Sequence, residues 1–500
     1  MYILGYDIGS SSVKATLMEA ESGRAVASAA SPKKEMEIIA PAPGWAEQDP
    51  EIWWKNVKLA TAHIKSTVSF DPNDIKAIGI SYQMHGLVIV DKNQHLLRPA
   101  IIWCDSRAVE IGNKAAQDIG QEKCLQRLLN SPGNFTASKL KWVMENEPKL
   151  YSKIHKAMLP GDYIAMRMTG QIKTTPSGLS EAIMWDFQKQ QLAELLLDYY
   201  GIDRDLLPGV VPTFSIQGEL TGEAADELAL KAGVKITYRA GDQPNNAFSL
   251  NVLNPGEIAA AAGTSGVIYG ISDKTNYDSK SRVNTFVHVN HTRELPRYGV
   301  LLCVNGTGIL NSWLRHNIAE ELTYTQMNEL AEQAPIGCDG LVILPYGNGA
   351  ERTLDNSNIG ALVQGLNFNT HNRAHLLRAA QEGIVFALNY GLGIMRDMGV
   401  QIRTVRAGNA NMFLSGLFSR AFATVTGSVV ELYNTDGSHG AARGAGIGAG
   451  IYSNYEDAFV GLECECIIEP NKNIEPAYRN AYEKWLNVLK QTLNRRNENE

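Results

Sequence analysis

The sequence predicts an α/β protein built from two similar domains with a cleft between them. Segments of strand and helix character alternate along the chain, beginning with apparent strands over residues 2–6, 12–18 and 25–30. The arrangement of strand, Gly-Ser/Thr turn and strand occurs twice, in GYDIGSSSVKATLM and in IAAAAGTSGVIYGI. Because the chain restarts near residue 250, we expect one domain over residues 1–247 and a second over 248–500 rather than three domains.

The remaining helices and strands are predicted from the spacing of apolar residues and from the residues that begin or end an element. Asp49 and Pro50 supply an N-cap and a first-turn proline for an amphipathic helix. Short apolar runs over residues 75–81, 87–91 and 100–103 are typical of buried strands. In the second half, residues 340–346 predict a strand and residues 375–398 a long helix that ends before Gly399.

Composition and charge restrict the class of function. Hydrophobic residues make up 44% and charged residues 20% of the 500 residues, which is ordinary for a globular protein. A net charge of −7 argues against a nucleic-acid partner. The six scattered cysteines are typical of reduced thiols, no stretch is long and apolar enough for a bilayer, and the first residues resemble a strand rather than a signal peptide. We therefore expect a cytoplasmic protein without a membrane partner.

The segment DIGSSSVK has the residues of a phosphate site. A strand that ends at Asp7, turns, and returns at Lys14 presents backbone N–H groups, hydroxyls and an ammonium to one point. Asp7 could hold Mg²⁺ directly or through water. A plain hairpin with a surface lysine is the simpler interpretation, but the similar turn in the second half favours phosphate binding, although a duplicated fold would also repeat its hairpins. The expected phosphate-binding residues are Ser10, Ser11, Ser12, Lys14, Gly263, Thr264 and Ser265.

The segment YRAGDQPNNAFSL indicates a catalytic carboxylate. Residues 234–240 predict a strand, Gly241 a turn and Pro244 the first position of a helix, which leaves Asp242 at the junction. There it could accept the proton of a substrate hydroxyl that attacks phosphorus. An aspartate in this place is more often a helix cap. Its position where the two halves join favours catalysis.

Two loops have the character of a sugar site. ISYQMHG places Gln83, Met84 and His85 between two apolar runs, where polar groups suit a polyhydroxylated ligand; a histidine packed at the base of the loop is the alternative. IIWCDSR offers Trp103 as an apolar platform, with Asp105 and Arg107 as hydrogen-bonding groups or, equally, as a local ion pair.

Two glycine-rich segments remain, and the chain has no Walker A sequence. VRAGNANMF puts Gly408, Asn409 and Asn411 between a strand and a helix, where a nucleotide can approach the backbone closely. GAARGAGIGAG is a weak match to a dinucleotide fingerprint, and its spaced small residues predict tight helix packing instead. The expected nucleotide site also includes Gly306.

These motifs, in this order over nearly the whole chain, resemble the FGGY carbohydrate kinases. The resemblance rests on DIGSSSVK, GWAEQDPEIWW, ISYQMHG, PAIIWCDSR, FTASKLKWVMENEP, LPGDYI, AGDQ, AAGTSG, GLVILPY and RAAQEGIVFAL. It implies two ribonuclease H/actin-like domains that close around a sugar and ATP, with Mg²⁺ held by Asp7 and Asp242, Asp242 as general base, and a homodimer. ISYQMHG is most similar to the members that phosphorylate D-xylulose, in which Met84, His85, Asp242 and Gln243 would line the sugar site.

Three positions depart from the family pattern. Gln243 stands where asparagine is usual, AGNANM replaces a run of glycines, and Gln381 occupies a place that is normally apolar. The nearest alternative is a kinase for another acceptor such as ribulose, another ketose, glycerol or gluconate. The altered AGNANM segment also leaves open a sugar-binding regulator without catalysis. An actin-like ATPase without a sugar acceptor would share the two domains and the hairpins, but the ISYQMHG and IIWCDSR loops argue against it.

Overall fold

The computed structural model describes residues 1–497 and contains two central sheets, one in each half of the chain. The strands before residue 250 are β1 Tyr2–Ile8, β2 Val13–Glu19, β3 Ala25–Ser31, β4 Glu47–Gln48, β5 Ile75–Tyr82, β6 Val88–Val90, β7 Ala100–Ile101, β8 Lys156–Met158, β9 Lys173–Thr174, β10 Trp185–Asp186, β11 Gln191–Leu192, β12 Gly209–Val210, β13 Phe214–Glu219 and β14 Lys235–Gly241. The later strands are β15 Glu257–Ala262, β16 Gly266–Ser272, β17 Asn284–Val287, β18 Tyr298–Val304, β19 Val342–Leu344, β20 Leu362–Gln364, β21 Thr404–Gly408, β22 Val429–Tyr433 and β23 Cys464–Ile468.

Helices cover and connect these sheets. The α-helices are α1 Pro50–Thr67, α2 Val109–Ile119, α3 Gln121–Leu128, α4 Thr136–Asn146, α5 Pro148–Tyr151, α6 Pro160–Thr169, α7 Pro176–Glu181, α8 Glu194–Tyr200, α9 Gly222–Leu228, α10 Asp242–Ser249, α11 Gly308–Asn317, α12 Tyr324–Ala331, α13 Arg373–Asp397, α14 Gly416–Thr426, α15 Gly437–Gly448, α16 Tyr455–Ala458 and α17 Glu475–Asn497. Short 3₁₀ turns lie at Pro72–Asp74, Arg204–Leu206, Cys338–Gly340, Arg352–Leu354 and Asn411–Leu414.

The two sheets repeat one topology. The first has the order β13-β14-β5-β1-β2-β3, with β1, β5 and β14 parallel to one another and the other pairs antiparallel. The second has the order β17-β18-β16-β15-β21-β22-β23, with β15, β21 and β22 parallel. In each sheet an antiparallel meander supplies a hairpin, and two parallel strands follow on its other side. This confirms the α/β class and the internal repetition that the sequence predicts.

Helix α15 of the second half packs against the sheet of the first. Its alanines share a buried cluster with Ile3, Ala77 and Tyr238 of the first sheet. The approach is close enough that a Cβ atom on Gly79 would lie 2.0 Å from the Ala441 carbonyl oxygen, and one on Gly444 would lie 2.6 Å from the Tyr238 ring. The predicted role of the small residues in tight helix packing is therefore confirmed. The proposed boundary at residues 247 and 248 stays a prediction.

Several predicted elements differ in length or start. Three predicted strands are shorter, at Val88–Val90, Ala100–Ile101 and Val342–Leu344. Leu87 forms an isolated bridge with Ile101, and Gly340 belongs to the preceding 3₁₀ turn. The prediction that Pro244 opens a helix after a turn at Gly241 is wrong. Strand β14 runs through Gly241, and α10 begins directly at Asp242. Proline is tolerated at the third helical residue because the N–H groups of the first turn have no intrahelical partner.

Over residues 1–497, no helix combines the length and apolar character that crossing a membrane requires.

Candidate active site

The first hairpin joins β1 to β2 through a tight turn. The Gly9 N–H donates to the Ser12 carbonyl at 3.0 Å, and Asp7 stands opposite Lys14 in the strand register. The Ser10 carbonyl accepts from the Gln48 amide at 2.7 Å, while the Ser11 carbonyl accepts from the backbone of Met36 at 2.9 Å. Lys14 and Ser11 are exposed. Neighbouring segments therefore fix the backbone of the turn, while the Ser11 hydroxyl and the Lys14 ammonium remain accessible to a ligand.

Asp7 lies where three elements meet. Its Oδ1 accepts a hydrogen bond from the Ser81 hydroxyl at 2.8 Å, and a Cβ atom on Gly437 would stand 2.5 Å from its Oδ2. Burial raises the pKa of Asp7, and the charge of Asp436, the N-cap of α15, raises it further; Lys14 and Ser81 oppose them. The carboxylate is therefore surrounded closely but retains an oxygen for a cation.

Asp242 is the second carboxylate of this group. It opens α10 at the end of β14, so a parallel strand and a helix fix its backbone. Burial raises its pKa to about 7, the charge of Asp7 raises it as well, and hydrogen bonds from Gln243 work in the opposite direction. A carboxylate with this pKa can accept a proton near neutral pH.

The donor set of Asp7 and Asp242 fits Mg²⁺. Magnesium in phosphoryl-transfer sites is held by one or two carboxylates together with water and substrate phosphates. Among residues 1–497, no group of three or more His, Cys, Asp and Glu side chains could hold a metal ion. A phosphate-assisted magnesium site fits this arrangement better than an all-protein cage.

The loop Gln83–His85 lies beside Asp242. The Gln83 N–H donates to the Ile8 carbonyl at 2.8 Å, and Met84 packs so closely on Gly241 that a Cβ atom there would stand 2.7 Å from the Met84 Cγ. His85 has a φ of 41°, and burial lowers its pKa well below the usual value, so its ring is neutral. The structure thus brings the predicted sugar loop to the predicted base.

Two charged residues near this loop were missed by the sequence analysis. Lys139 is fully buried, and its ammonium donates to the carbonyls of His85 at 3.1 Å and Ile102 at 2.9 Å. Glu181 is buried beside Tyr82, its carboxyl close enough to Gly241 that a Cβ there would lie 2.4 Å from Oε2. Burial raises the pKa of Glu181 well above the usual value. Lys139 could have been found from its place on the buried face of α4. No local sequence pattern indicates that Glu181 belongs to the site.

The segment after β7 separates into an exposed and a buried part. Trp103 is 46% exposed and its Nε1 donates to the Ser10 hydroxyl at 3.3 Å, so the ring borders the first hairpin. Asp105 and Arg107 form a buried ion pair at 2.7 Å, which Glu47 joins at 2.7 Å from Arg107. The alternative of a local ion pair is therefore the arrangement that the structure has.

The second hairpin, over residues 263–266, is held by α11. The Gly308 N–H donates to the Gly263 carbonyl at 2.9 Å, and the Ile309 N–H to the Thr264 carbonyl at 3.1 Å. Gly306 approaches the chain so closely that a Cβ atom would lie 1.6 Å from the Pro345 carbonyl oxygen. Ser265 lies beside the Cys303 thiol. The hairpin is thus fixed to the helix that follows β18.

A cavity of about 690 Å³ opens beside this hairpin. Residues of the hairpin, α11, α12 and the Asn411–Leu414 turn line it, with Gly263, Thr264 and Asn411 among them. Gly408 ends β21 outside this lining, and the exposed Asn409 amide binds Glu465 at 2.8 Å. Gln381 lies just behind the wall, where it donates to Asn328 at 3.0 Å and accepts from Ser415 at 2.8 Å. The volume suits a nucleoside.

The comparisons with known proteins agree with this geometry. The model of the FGGY family of carbohydrate kinases, N-terminal domain, matches residues 2–249, and that of the C-terminal domain matches residues 258–451. A xylulose kinase of Bacillus subtilis is 30% identical over 98% of this chain and 97% of its own, and one of Escherichia coli is 29% identical over 99% of each. The crystal structure of a xylulose kinase from Rhodospirillum rubrum covers 98% of this chain and 99% of its own with a TM-score of 0.86 at 25% identity.

Proposed function

The chain belongs to the FGGY family of carbohydrate kinases, and on that premise we propose that it transfers the γ-phosphoryl group of ATP to the 5-hydroxyl of D-xylulose. As a member of this family, the protein is a phosphotransferase with an alcohol group as acceptor. The choice of D-xylulose is supported by the curated relatives of similar length, which are xylulose kinases, and by the Gln83–His85 loop beside Asp242.

The observation that carries the proposed reaction is the pairing of Asp242 with Asp7 beside that loop. Asp242 accepts the proton of the C5 hydroxyl while the oxygen forms a bond to the γ-phosphorus, and the bond from phosphorus to the β,γ-bridging oxygen of ATP breaks. The products are D-xylulose 5-phosphate and ADP. Asp7 and Asp242, together with the phosphates, would hold Mg²⁺, which would neutralise negative charge during the transfer.

The remaining roles divide between the halves. We assign the phosphates to Ser10, Ser11, Ser12 and Lys14 of the first hairpin, and to Gly263, Thr264, Ser265 and Gly306 of the second half. The adenosine is assigned to the 690 Å³ cavity and Asn411, with Gly408 and Asn409 at its outer side. The sugar is assigned to Gln83, Met84, His85, Trp103 and Gln243. A homodimer, a cytoplasmic location and the absence of a nucleic-acid partner belong to the same proposal.

A coupled assay of ADP release tests the proposal. The purified chain is given MgATP and a panel of D-xylulose, ribulose, other ketoses, glycerol and gluconate. We expect the highest kcat/KM for D-xylulose. Preference for another acceptor would replace the substrate and keep the mechanism, whereas ADP release that does not depend on any acceptor would contradict the kinase assignment.

A further inference from the structure

Arg352 is a cation of the second half that reaches the sugar loop of the first. It opens the 3₁₀ turn Arg352–Leu354, and its guanidinium carbon lies 5.8 Å from the ring centroid of Phe135. Phe135 is buried and meets the His85 ring edge to face, with centroids 5.0 Å apart. Arg352 also lowers the pKa of His85. The guanidinium therefore stands near the end of the candidate sugar pocket that His85 forms.

The guanidinium has no carboxylate partner within residues 1–497. The guanidinium lies over the face of Phe135, although burial in this place lowers its pKa and thus disfavours the charge. The nearby Cys303 thiol favours the charge only if it ionises, and burial raises the pKa of that thiol to about 12. A guanidinium offers five N–H donors in a fixed plane. Because Arg352 is only half-buried, these donors are accessible to a ligand with oxygen acceptors, which is the expected partner.

The backbone of Arg352 is held rigidly to the nucleotide side. The preceding residue, Glu351, is fully buried, and its carboxylate accepts from the N–H groups of Asn305 at 2.9 Å and Gly306 at 3.2 Å. The segment of Asn305 and Gly306 continues into Gly308, whose N–H donates to the Gly263 carbonyl of the second hairpin at 2.9 Å. A movement of that hairpin would therefore carry Arg352 toward or away from His85.

From this geometry we infer that Arg352 binds the acceptor sugar, donating hydrogen bonds from the second half to sugar oxygens at the His85 end of the pocket. The inference rests on the proposed function and adds a residue to its sugar site. A different cation, Lys14, stands near Asp7 at the end of the site where phosphoryl transfer takes place. A sugar bound by His85 of the first half and Arg352 of the second contacts both halves of the chain. Sugar binding therefore favours closure of the cleft.

The test compares Arg352→Gln and Arg352→Lys with Arg167→Gln. Arg167 is the matched control, since its guanidinium also lies over an aromatic ring, 5.2 Å from Trp54, but on α6 against α1. We expect Arg352→Gln to raise the KM for D-xylulose at least tenfold and to change the KM for ATP by less than twofold. The KM of Arg352→Lys for D-xylulose should lie between those of the parent chain and Arg352→Gln. The KM of Arg167→Gln should equal that of the parent chain. Thermal melting of each variant checks that it folds.

Calorimetry of sugar binding without nucleotide distinguishes failure of the Arg352 inference from failure of the proposed function. A sugar KM and Kd within twofold of the parent in Arg352→Gln would overturn the inference. If those values hold while kcat falls, the guanidinium acts on the phosphoryl group instead, which also overturns it. If the parent chain prefers another acceptor, or phosphorylates none, the proposed substrate or activity fails, and the same comparison with the sugar that binds best still decides the role of Arg352.

Discussion

The Lys139 ammonium donates a hydrogen bond to the His85 backbone carbonyl at 3.1 Å and a second to the Ile102 carbonyl at 2.9 Å. One buried cation thus fixes both segments that the sequence analysis assigned to the sugar. His85 needs such support because its backbone has a positive φ of 41°.

Replacing Lys139 should disturb the sugar site selectively. In Lys139→Met the loop that carries His85 loses its anchor, and we expect kcat/KM for D-xylulose to fall about tenfold, the size of a lost charge-assisted hydrogen bond. The KM for ATP should stay within twofold. Lys141→Met, two residues further along α4 and partly exposed, is the control. Equal loss for both substrates would indicate general damage to the fold.

Lys139 should also make stability depend on pH. Burial lowers its pKa to about 7 in the folded chain, while the unfolded chain keeps an ordinary lysine pKa. Between these values the unfolded chain binds more protons, so the free energy of unfolding rises with pH. Urea titrations at pH 7 and pH 9 should therefore show the parent chain gaining stability relative to Lys139→Met. A constant difference across this range would contradict the assigned pKa.

Asp242→Asn should remove the base and leave sugar binding. We expect kcat to fall by roughly 10³, within the range for general base catalysis, while the sugar Kd changes by less than threefold. Asp226→Asn, an exposed residue of α9, is the matched control and should retain the parent kcat. Near-normal turnover of Asp242→Asn would remove the catalytic role from this carboxylate.

The pH profile of the reaction follows from the same group. Because the pKa of Asp242 is raised to about 7, and because the base must be deprotonated to accept a proton, kcat/KM should rise with pH and level off above about 8. The measurement is kcat/KM for MgATP from pH 5.5 to 9 at saturating D-xylulose, which reports the state before Mg²⁺ reaches Asp242. A profile already flat from pH 5.5 would show that no group with this pKa limits the reaction.

The contact between α15 and the first sheet predicts a large effect at one glycine. In Gly79→Ala the new Cβ atom would lie 2.0 Å from the Ala441 carbonyl oxygen, so α15 must move, and we expect a loss of about 3 kcal/mol or more in the free energy of unfolding. Gly393→Ala, in α13 with open space at its Cβ, is the control and should stabilise by about 0.5–1 kcal/mol. Urea denaturation of both variants measures the contrast.

Local patterns predicted what local interactions determine. Pro50 after Asp49 begins a helix as expected because the Asp49 carboxylate accepts from the N–H of Glu51 at 3.0 Å. The two hairpins follow from alternating apolar residues and a Gly-Ser/Thr turn. Asp242 was correctly placed at a strand-to-helix junction, although the helix starts two residues before Pro244.

Long-range contacts produced what the sequence could not predict. Glu181 and Arg352 reach the site from segments without a motif of their own. Helix α7 is brought there by packing inside the first half, and the turn after β19 by the packing of the second half against the first. The same holds for α15, which belongs to the second half by sequence and completes the core of the first. Periodicity identifies the apolar face of a helix but not the sheet that it covers.

The position of phosphorylation tests the central claim most directly. The chain is incubated with MgATP and ¹³C-labelled D-xylulose, and the product is observed by ¹³C and ³¹P NMR while ADP is quantified. We predict one ADP for each sugar phosphorylated, with phosphorus coupling at C5 and no ADP without sugar. Phosphate on another carbon, or ADP and inorganic phosphate formed without a sugar phosphate, would contradict it.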